Sequence, residues 1–267
     1  MASITTDQGI VHYEVYGKGR PVILLHGWLG SWGLWQNTMA VLGTSYRTYA
    51  LDFWGFGESG RKRETYQVQD FVNLVDQFMD RLGIVSAPIV GHSMGGTVSL
   101  SMAIQYPQRT EKVVVIGSPI VGSSLALALK LAGFRMNAFM LFHAFGLFRK
   151  FMYKFGSPMI CQDPAFPDMM DRDLSQTTLE SFLVSIATLR KTDLRPMLGQ
   201  IDIPVMGMFG DKDNIVDPGQ WKDLKDGVLH ARIERYPNAG HFIMLDDPVD
   251  CVGKIKEFLD TPADGGS

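Results

Sequence analysis

Residues 91–95, which read Gly-His-Ser-Met-Gly, constrain the fold of this chain more than any other segment. They fit the pattern G-x-S-x-G and lie between an apolar run at 87–90 and a small-residue helical run at 96–103. So sharp a turn from strand to helix forces the serine into a strained backbone conformation and exposes its hydroxyl. The flanking glycines are required because side chains there would collide with the neighbouring strand and helix. The segment therefore predicts a nucleophilic serine, Ser93, at a strand-to-helix turn.

Apolar runs of strand length alternate with helical patterns along much of the chain. The helical spacing of apolar residues is clearest at 69–82 and 249–259. The predicted strands are 10–16, 21–25, 46–51, 87–90, 112–117, 204–210 and 231–236. This alternation predicts an α/β fold, with a mostly parallel central sheet that is flanked by helices on both faces.

Residues 122–200 interrupt the alternation. They contain no convincing buried strand, and their composition shifts towards Leu, Phe and Met, above all at 125–155. We expect a helical insertion at 122–200 within a core that is formed by residues 1–121 and 201–267.

Composition excludes several classes of function. The formal net charge of −3 shows no overall basic bias, so nucleic acid is not an expected partner. Cys161 and Cys251 are far apart and lack metal-type spacing, which favours free thiols and a cytoplasmic location. Residues 1–7 have neither the charge nor the apolar run of a secretory signal. No histidine pair has metal-ligand spacing, so we expect neither a metal nor another cofactor.

A serine hydroxyl needs a base within hydrogen-bond reach, and the base needs an orienting acid. Among six histidines, His241 is placed best, directly after the last predicted strand and before the last helix. Its loop would lie over the carboxyl ends of the strands, at the same edge as Ser93. Asp211 and Asp213 both follow the strand at 204–210 and are candidates for the acid. The order Ser, Asp, His is the one that α/β sheets with a G-x-S-x-G turn present.

Five motifs in this order resemble the α/β-hydrolase fold family. They are His-Gly at 26–27, the segment at 52–59, the serine turn at 91–96, Gly-Asp-Lys-Asp at 210–213 and Gly-His-Phe at 240–242. The resemblance extends from about residue 4 to residue 260. It implies that Asp213 is the acid, because the family's acid occupies the fourth position of a G-x-x-D segment. A small departure is that Asp217 stands before Pro218, where the family often has proline sooner.

The resemblance also implies a cap domain after the strand that ends near Ser118, which matches the insertion at 122–200. Two backbone N–H groups are needed to stabilise the oxyanion of a tetrahedral intermediate. Met94 should supply one at the start of the helix that follows Ser93, and the resemblance assigns the other to Trp28. His92 flanks the nucleophile, and its side chain could line the pocket.

The remaining polar candidates have structural interpretations. Asp211 suits a solvated turn, and Asp52 suits the ordering of its own glycine-rich turn. The ring of His26 is expected to bond the backbone near the oxyanion donors. His12 and His230 are expected on strand surfaces.

The apolar and basic mixture at 125–155 has three interpretations: cap helices packed on the core, a lid that lines an acyl pocket, or a contact with anionic membrane surface. A membrane-spanning helix is disfavoured, because Lys130, Arg135, Asn137 and His143 interrupt the run. Phe and Met suit a broad apolar cavity and therefore favour a hydrophobic substrate.

The chain is thus expected to be a cofactor-independent serine hydrolase that cleaves a small-to-medium hydrophobic carboxylic ester through an acyl-enzyme. One alternative is hydrolysis of a carbon–carbon bond in a vinylogous diketone, as in meta-cleavage-product hydrolases. A perhydrolase activity of the haloperoxidase type is a variant of the first. A ligand-binding receptor with little turnover is the alternative from another class. The natural substrate and the oligomeric state are left open.

Overall fold

The computed structural model describes residues 2–61, 66–127 and 160–262. One eight-stranded sheet lies at its centre. Its strands are β1 (Ala2–Thr6), β2 (Gly9–Tyr16), β3 (Arg20–Leu25), β4 (Tyr46–Leu51), β5 (Ala87–His92), β6 (Thr110–Ile116), β7 (Val205–Gly210) and β8 (Arg232–Tyr236). They lie side by side in the order β1-β2-β4-β3-β5-β6-β7-β8. β2 is antiparallel to both β1 and β4, and every other neighbouring pair is parallel, which confirms the mostly parallel sheet.

Helices cover both faces of the sheet. In the described residues they are α1 (Gln36–Leu42), α2 (Val68–Arg81), α3 (Met94–Gln105), α4 (Phe166–Ser175), α5 (Leu179–Leu189), α6 (Gln220–Gly227), α7 (Ile243–Asp246) and α8 (Pro248–Asp260). Helix α2 agrees with the prediction of 69–82, because Phe71, Leu74, Val75 and Phe78 form one fully buried stripe. Two predictions, the α/β class and the flanking helices, are therefore confirmed.

Strand β3 illustrates why its sequence is apolar without alternation. Ile23 and Leu25 belong to the cluster that contains the buried face of α2, whereas Val22 and Leu24 belong to the cluster that contains the buried residues of α8. All four side chains are fully buried. A strand that is covered on both faces needs apolar residues at every position, and each such burial is worth about 1.5–3 kcal/mol.

Strand β1 was not predicted from the sequence. It is an edge strand that pairs antiparallel with β2, with Ile4 opposite Val11. Its side chains alternate between half-buried and exposed as far as Thr5. Ser3 and Thr5 fill the exposed positions, so the segment lacks the continuous apolar run that marked the central strands.

The predicted insertion lies between β6 and β7. Val121 forms an antiparallel bridge to Asp193, so the segment that leaves the sheet after β6 and the segment that returns towards β7 run side by side. Helices α4 and α5 lie between these points, and no strand does within residues 122–127 and 160–192. The boundaries of 122 and 200 stay a prediction. The interpretation of the predicted cap depends on basic and aromatic residues that lie outside the described residues, among them Lys130, Arg135, Phe139, Phe142, Phe145, Phe148, Arg149, Lys150 and Lys154.

Both cysteines, Cys161 and Cys251, are buried and unpaired, as predicted. Burial raises the pKa of each thiol to about 12. Within the described ranges, no helix is both long and apolar enough to cross a membrane. The same ranges hold no group of three His, Cys, Asp or Glu side chains that could bind a metal ion.

Candidate active site

Ser93 occupies the sharp turn between β5 and α3. Its backbone has φ 52° and ψ −120°, a region that residues other than glycine rarely adopt. Gly95 permits the turn, because a Cβ there would lie 2.3 Å from the Leu25 carbonyl oxygen. A Cβ at Gly91 would lie equally close, 2.3 Å, to the Gly95 oxygen. Strain of this kind persists only where the surrounding structure holds it, and it is concentrated at functional sites.

His241 and Asp213 come together beside this turn. His241 Nδ1 lies 2.7 Å from Asp213 Oδ2, and both side chains are buried. The other carboxylate oxygen, Oδ1, accepts the backbone N–H groups of Ile215 at 2.8 Å and Val216 at 2.9 Å. Asp213 is thus held by its own loop with Oδ2 directed at the imidazole. A proton on Nδ1 leaves Nε2 of the neutral ring as a hydrogen-bond acceptor.

Asp211 is not brought to the histidine. Its Oδ1 accepts from Arg235 Nη2 at 2.7 Å and Nε at 3.0 Å at the protein surface. The two aspartates, which are only two positions apart, therefore have separate partners. This geometry agrees with the role that the resemblance gave to Asp213, although the role itself stays a prediction.

The two expected oxyanion donors flank Ser93. Met94 is the first residue of α3, where the helix dipole favours negative charge. Neither its backbone N–H nor that of Trp28 donates a hydrogen bond to any residue that the structure describes. Trp28 lies within a tight turn in which Gly30 N–H donates to the Gly27 oxygen at 3.0 Å. Both groups stay predicted donors.

His26 fixes the loop that carries Trp28. Its Nε2 accepts the backbone N–H of Phe53 at 3.0 Å, so the proton is on Nδ1, which donates to the Gly27 oxygen at 2.7 Å. Burial lowers the pKa of His26 and keeps the ring neutral. The structural interpretation of this residue is confirmed.

Trp28 also contacts α5, which lies within the predicted insertion. Its indole Nε1–H donates to the Phe182 carbonyl oxygen on α5 at 3.1 Å, and the two rings lie 4.4 Å apart. The loop with a predicted oxyanion donor is therefore bound directly to α5.

A cavity of about 150 Å³ opens onto Ser93 and His241. Most of its wall is apolar, as the prediction of a hydrophobic pocket requires. The apolar wall includes Leu34, Leu125, Phe166, Met170, Ile186 and Phe242. Its polar side chains in the described residues are Ser93, His92, His241 and Asp173.

His92 lines this cavity. Its Nε2–H donates to the backbone oxygen of His241 at 3.1 Å, and the two rings lie 4.7 Å apart. Burial first, and the neighbouring His241 second, lower the pKa of His92 well below its usual range. A neutral His92 therefore holds the segment that carries His241.

Asp52 orders the turn in which it lies, as expected. It accepts the backbone N–H groups of Trp32 at 2.7 Å and Glu58 at 2.9 Å. His12, however, was wrongly placed on a strand surface: it is buried, and its Nδ1 lies 2.8 Å from Asp52 Oδ2. Burial disfavours a charged ring, but the hydrogen bond and the charge of Asp52 raise the pKa of His12. His230 is exposed, as predicted, but it lies in the turn before β8 and not on a strand.

Asp173 is the pocket residue that sequence reasoning missed. It lies on α4 at the apolar spacing set by Phe166, Met169 and Met170, all of which line the cavity. The available signal was a carboxylate seven positions after Phe166 on an apolar helical stripe, because residues on such a stripe normally face a core.

Comparison with known proteins identifies what this architecture is similar to. A model of the alpha/beta hydrolase fold matches residues 20–176 and 165–248. The 2-hydroxy-6-oxo-6-phenylhexa-2,4-dienoate hydrolase of Comamonas testosteroni is 30% identical over 251 residues, which span 87% of this chain and 85% of that protein.

Solved structures agree on the fold. The enol-lactonase of Burkholderia xenovorans LB400 superposes with a TM-score of 0.84 at 19% identity, covering 97% of this chain and 100% of that one. An esterase of Exiguobacterium antarcticum gives a TM-score of 0.83 at 19% identity, covering 97% and 99%. At such low identity the likeness extends to the fold alone.

Proposed function

We propose that this chain, which belongs to the α/β-hydrolase fold family, is a serine hydrolase that cleaves a small-to-medium hydrophobic carboxylic ester through an acyl-enzyme. One observation carries the proposal: the strained Ser93 shares an apolar cavity with His241, whose ring is bound to the buried carboxylate of Asp213. A nucleophile, a base and an orienting acid are the parts that acyl transfer needs.

In the proposed first step, Ser93 Oγ attacks the ester carbonyl and its proton passes to His241 Nε2. Asp213 keeps the other ring proton on Nδ1 and stabilises the imidazolium that forms. The backbone N–H groups of Trp28 and Met94 donate to the developing oxyanion, where each such donor is worth about 3–4 kcal/mol.

His241 then returns its proton to the departing alcohol, which leaves the acyl group on Ser93. Water attacks this acyl-enzyme by the same route, with His241 as the base. No cofactor takes part in the proposed acylation or deacylation. The apolar wall of the cavity supports an acyl or aromatic group over a sugar. The unpaired, buried thiols support the cytoplasm as the compartment.

A carbon–carbon bond hydrolase is the second candidate. It is favoured by the 30% identity to an enzyme whose named substrate is a dienoate. A dienoate carries a carboxylate, and a cationic side chain would be expected to bind it. Among the described residues, the cavity wall contains the acid Asp173 and neither lysine nor arginine. This electrostatic mismatch is the reason for placing the ester first.

A panel of substrates tests the proposal. It comprises nitrophenyl esters from acetate to decanoate and a dienol diketone acid, each assayed with the wild type, Ser93→Ala and Ser101→Ala. Ser101 is a matched control, since it is a buried serine of α3 outside the cavity wall. We expect turnover of the medium-chain esters, which Ser93→Ala abolishes and Ser101→Ala retains.

Two results would reject the ester proposal. Faster turnover of the diketone than of every ester would favour carbon–carbon cleavage. Binding of the esters without turnover by the wild type would favour a receptor. Labelling by an organophosphonate should occur at Ser93, and labelling that persists in Ser93→Ala would reject the nucleophile itself.

A further inference from the structure

Asp173 places a buried carboxylate in the wall of the apolar cavity. The residue is 1% exposed. One of its oxygens, Oδ1, accepts a hydrogen bond from Ser31 Oγ at 2.9 Å and another from Arg172 Nε at 2.9 Å. Arg172 Nη2 lies 2.9 Å from the same oxygen. The contact with Ser31 ties α4 to the loop after β3, and all three contacts use Oδ1.

The second oxygen, Oδ2, is buried and has no hydrogen-bond partner among the described residues. A buried acceptor that lacks a partner loses its hydration and gains nothing in return, so such groups are rare in folded proteins. Burial also raises the pKa of Asp173, despite the opposing contacts with Arg172 and Ser31. The hydrogen bond from Ser31 uses only Oδ1, so it does not explain why Oδ2 is buried without a partner.

The chemistry around Oδ2 restricts what could satisfy it. Asp173 lines the same cavity as Ser93 and His241, and its neighbours in that wall are Phe166, Met169 and Met170. Arg172 already compensates the negative charge, so an ammonium group would gain little from a second pairing. A carboxylate only accepts hydrogen bonds and therefore cannot donate one to Oδ2. A neutral hydroxyl group can donate to Oδ2 without adding charge to an apolar site.

We infer that Asp173 Oδ2 accepts a hydrogen bond from a hydroxyl group of the substrate, so that the preferred ester carries one hydroxyl on an otherwise apolar chain. Asp173 is then a specificity-determining residue. The inference rests on the proposed ester hydrolysis and narrows its substrate class. Oδ2 then has a hydrogen-bond partner only when the substrate is bound.

The first test uses the wild type. Methyl octanoates with one hydroxyl at carbon 3, 6, 7 or 8, and octyl acetates hydroxylated at the same positions, are compared with their unsubstituted parents by proton release. At one position kcat/KM should equal or exceed that of the parent, because the new hydrogen bond offsets the desolvation of the hydroxyl. A lower kcat/KM at every position would overturn the inference.

The second test removes the acceptor. In Asp173→Leu the ratio of kcat/KM for the best hydroxy ester to that for its parent should fall by about tenfold or more, as for a hydrogen bond to a charged group. Ser31→Ala is the matched control, because it removes an Oδ1 contact and leaves Oδ2 in place. A ratio that changes equally in both variants would assign Asp173 to structure alone.

A third variant guards against misfolding of Asp173→Leu. In Asp173→Asn the amide oxygen can keep the Oδ1 contacts, which places an N–H donor where Oδ2 was. A methoxy ester only accepts hydrogen bonds. The ratio of kcat/KM for the methoxy ester to that for the hydroxy ester should therefore be higher in Asp173→Asn than in the wild type. A purely structural aspartate predicts no such reversal.

Binding separates this inference from the proposed function. Calorimetric titration of Ser93→Ala with the best hydroxy ester and its parent repeats the comparison without turnover. Absence of turnover across the whole series in the wild type would reject ester hydrolysis. Equal binding of the hydroxy ester by Ser93→Ala with and without Asp173→Leu would reject the hydroxyl subsite.

Discussion

Replacing Asp213 by asparagine should disable the predicted base without disturbing its position. Asp213 Oδ1 accepts the N–H groups of Ile215 at 2.8 Å and Val216 at 2.9 Å. The asparagine carbonyl must occupy this place, because an NH2 group there would leave two backbone donors unpaired at about 1–3 kcal/mol each. The NH2 group therefore faces His241 Nδ1, which is 2.7 Å from Oδ2 in the wild type.

An amide donor at this place requires a lone pair on Nδ1, which moves the ring proton to Nε2. His241 then cannot accept the proton of Ser93. We expect kcat to fall by about 10⁴, equivalent to about 5.5 kcal/mol in the activation free energy, with an unchanged fold.

The assay is burst and steady-state hydrolysis of the best nitrophenyl ester, with Ser93→Ala prepared in parallel to measure contaminating activity. Asp211→Asn is the matched control and should keep nearly full activity, since Asp211 pairs with Arg235 at the surface. Asp213→Asn with more than about a tenth of wild-type kcat would refute the tautomer reasoning. An equal loss in Asp211→Asn would refute the choice between the two acids.

Three further predictions concern the nucleophile, pH and the insertion. Ser93→Ala should lose ester turnover while its thermal unfolding stays that of a folded protein; activity above the preparation background would contradict this. His26 and His92 have lowered pKa values when folded, so at these two positions the unfolded chain takes up protons before the folded chain as pH falls below about 7, and their contribution to the free energy of unfolding should decrease. In urea unfolding, the free energy of unfolding should decrease less steeply with falling pH in His92→Gln than in the wild type, and equal slopes would reject the assignment. Phe182→Ala removes a fully buried ring that packs on Trp28, and should cost about 3–5 kcal/mol in calorimetry or urea unfolding, with a smaller cost for Phe182→Leu; a loss below about 1 kcal/mol would show that the insertion packs loosely there.

The sequence by itself determined the elements whose cause is local. The turn at Ser93 follows from the glycines beside it, because their missing side chains decide whether strand and helix can approach. The central strands followed from unbroken apolar runs, and α2 from its helical stripe. β1 escaped prediction because an edge strand with one half-buried face needs no such run.

Only the tertiary structure decided which polar side chains meet. Locally, Asp211 and Asp213 are equivalent acids after the same strand, and the loop around Asp213 directs one of them to His241, 28 residues further along. The pairing of His12 with Asp52 turned an expected surface histidine into a buried one. Ser31 and Asp173 are 142 residues apart in sequence and meet beside the cavity. Sequence periodicity places a residue on a face of its own helix, but the partner that satisfies its charge is chosen by how distant elements pack, and that is fixed only when the whole core forms.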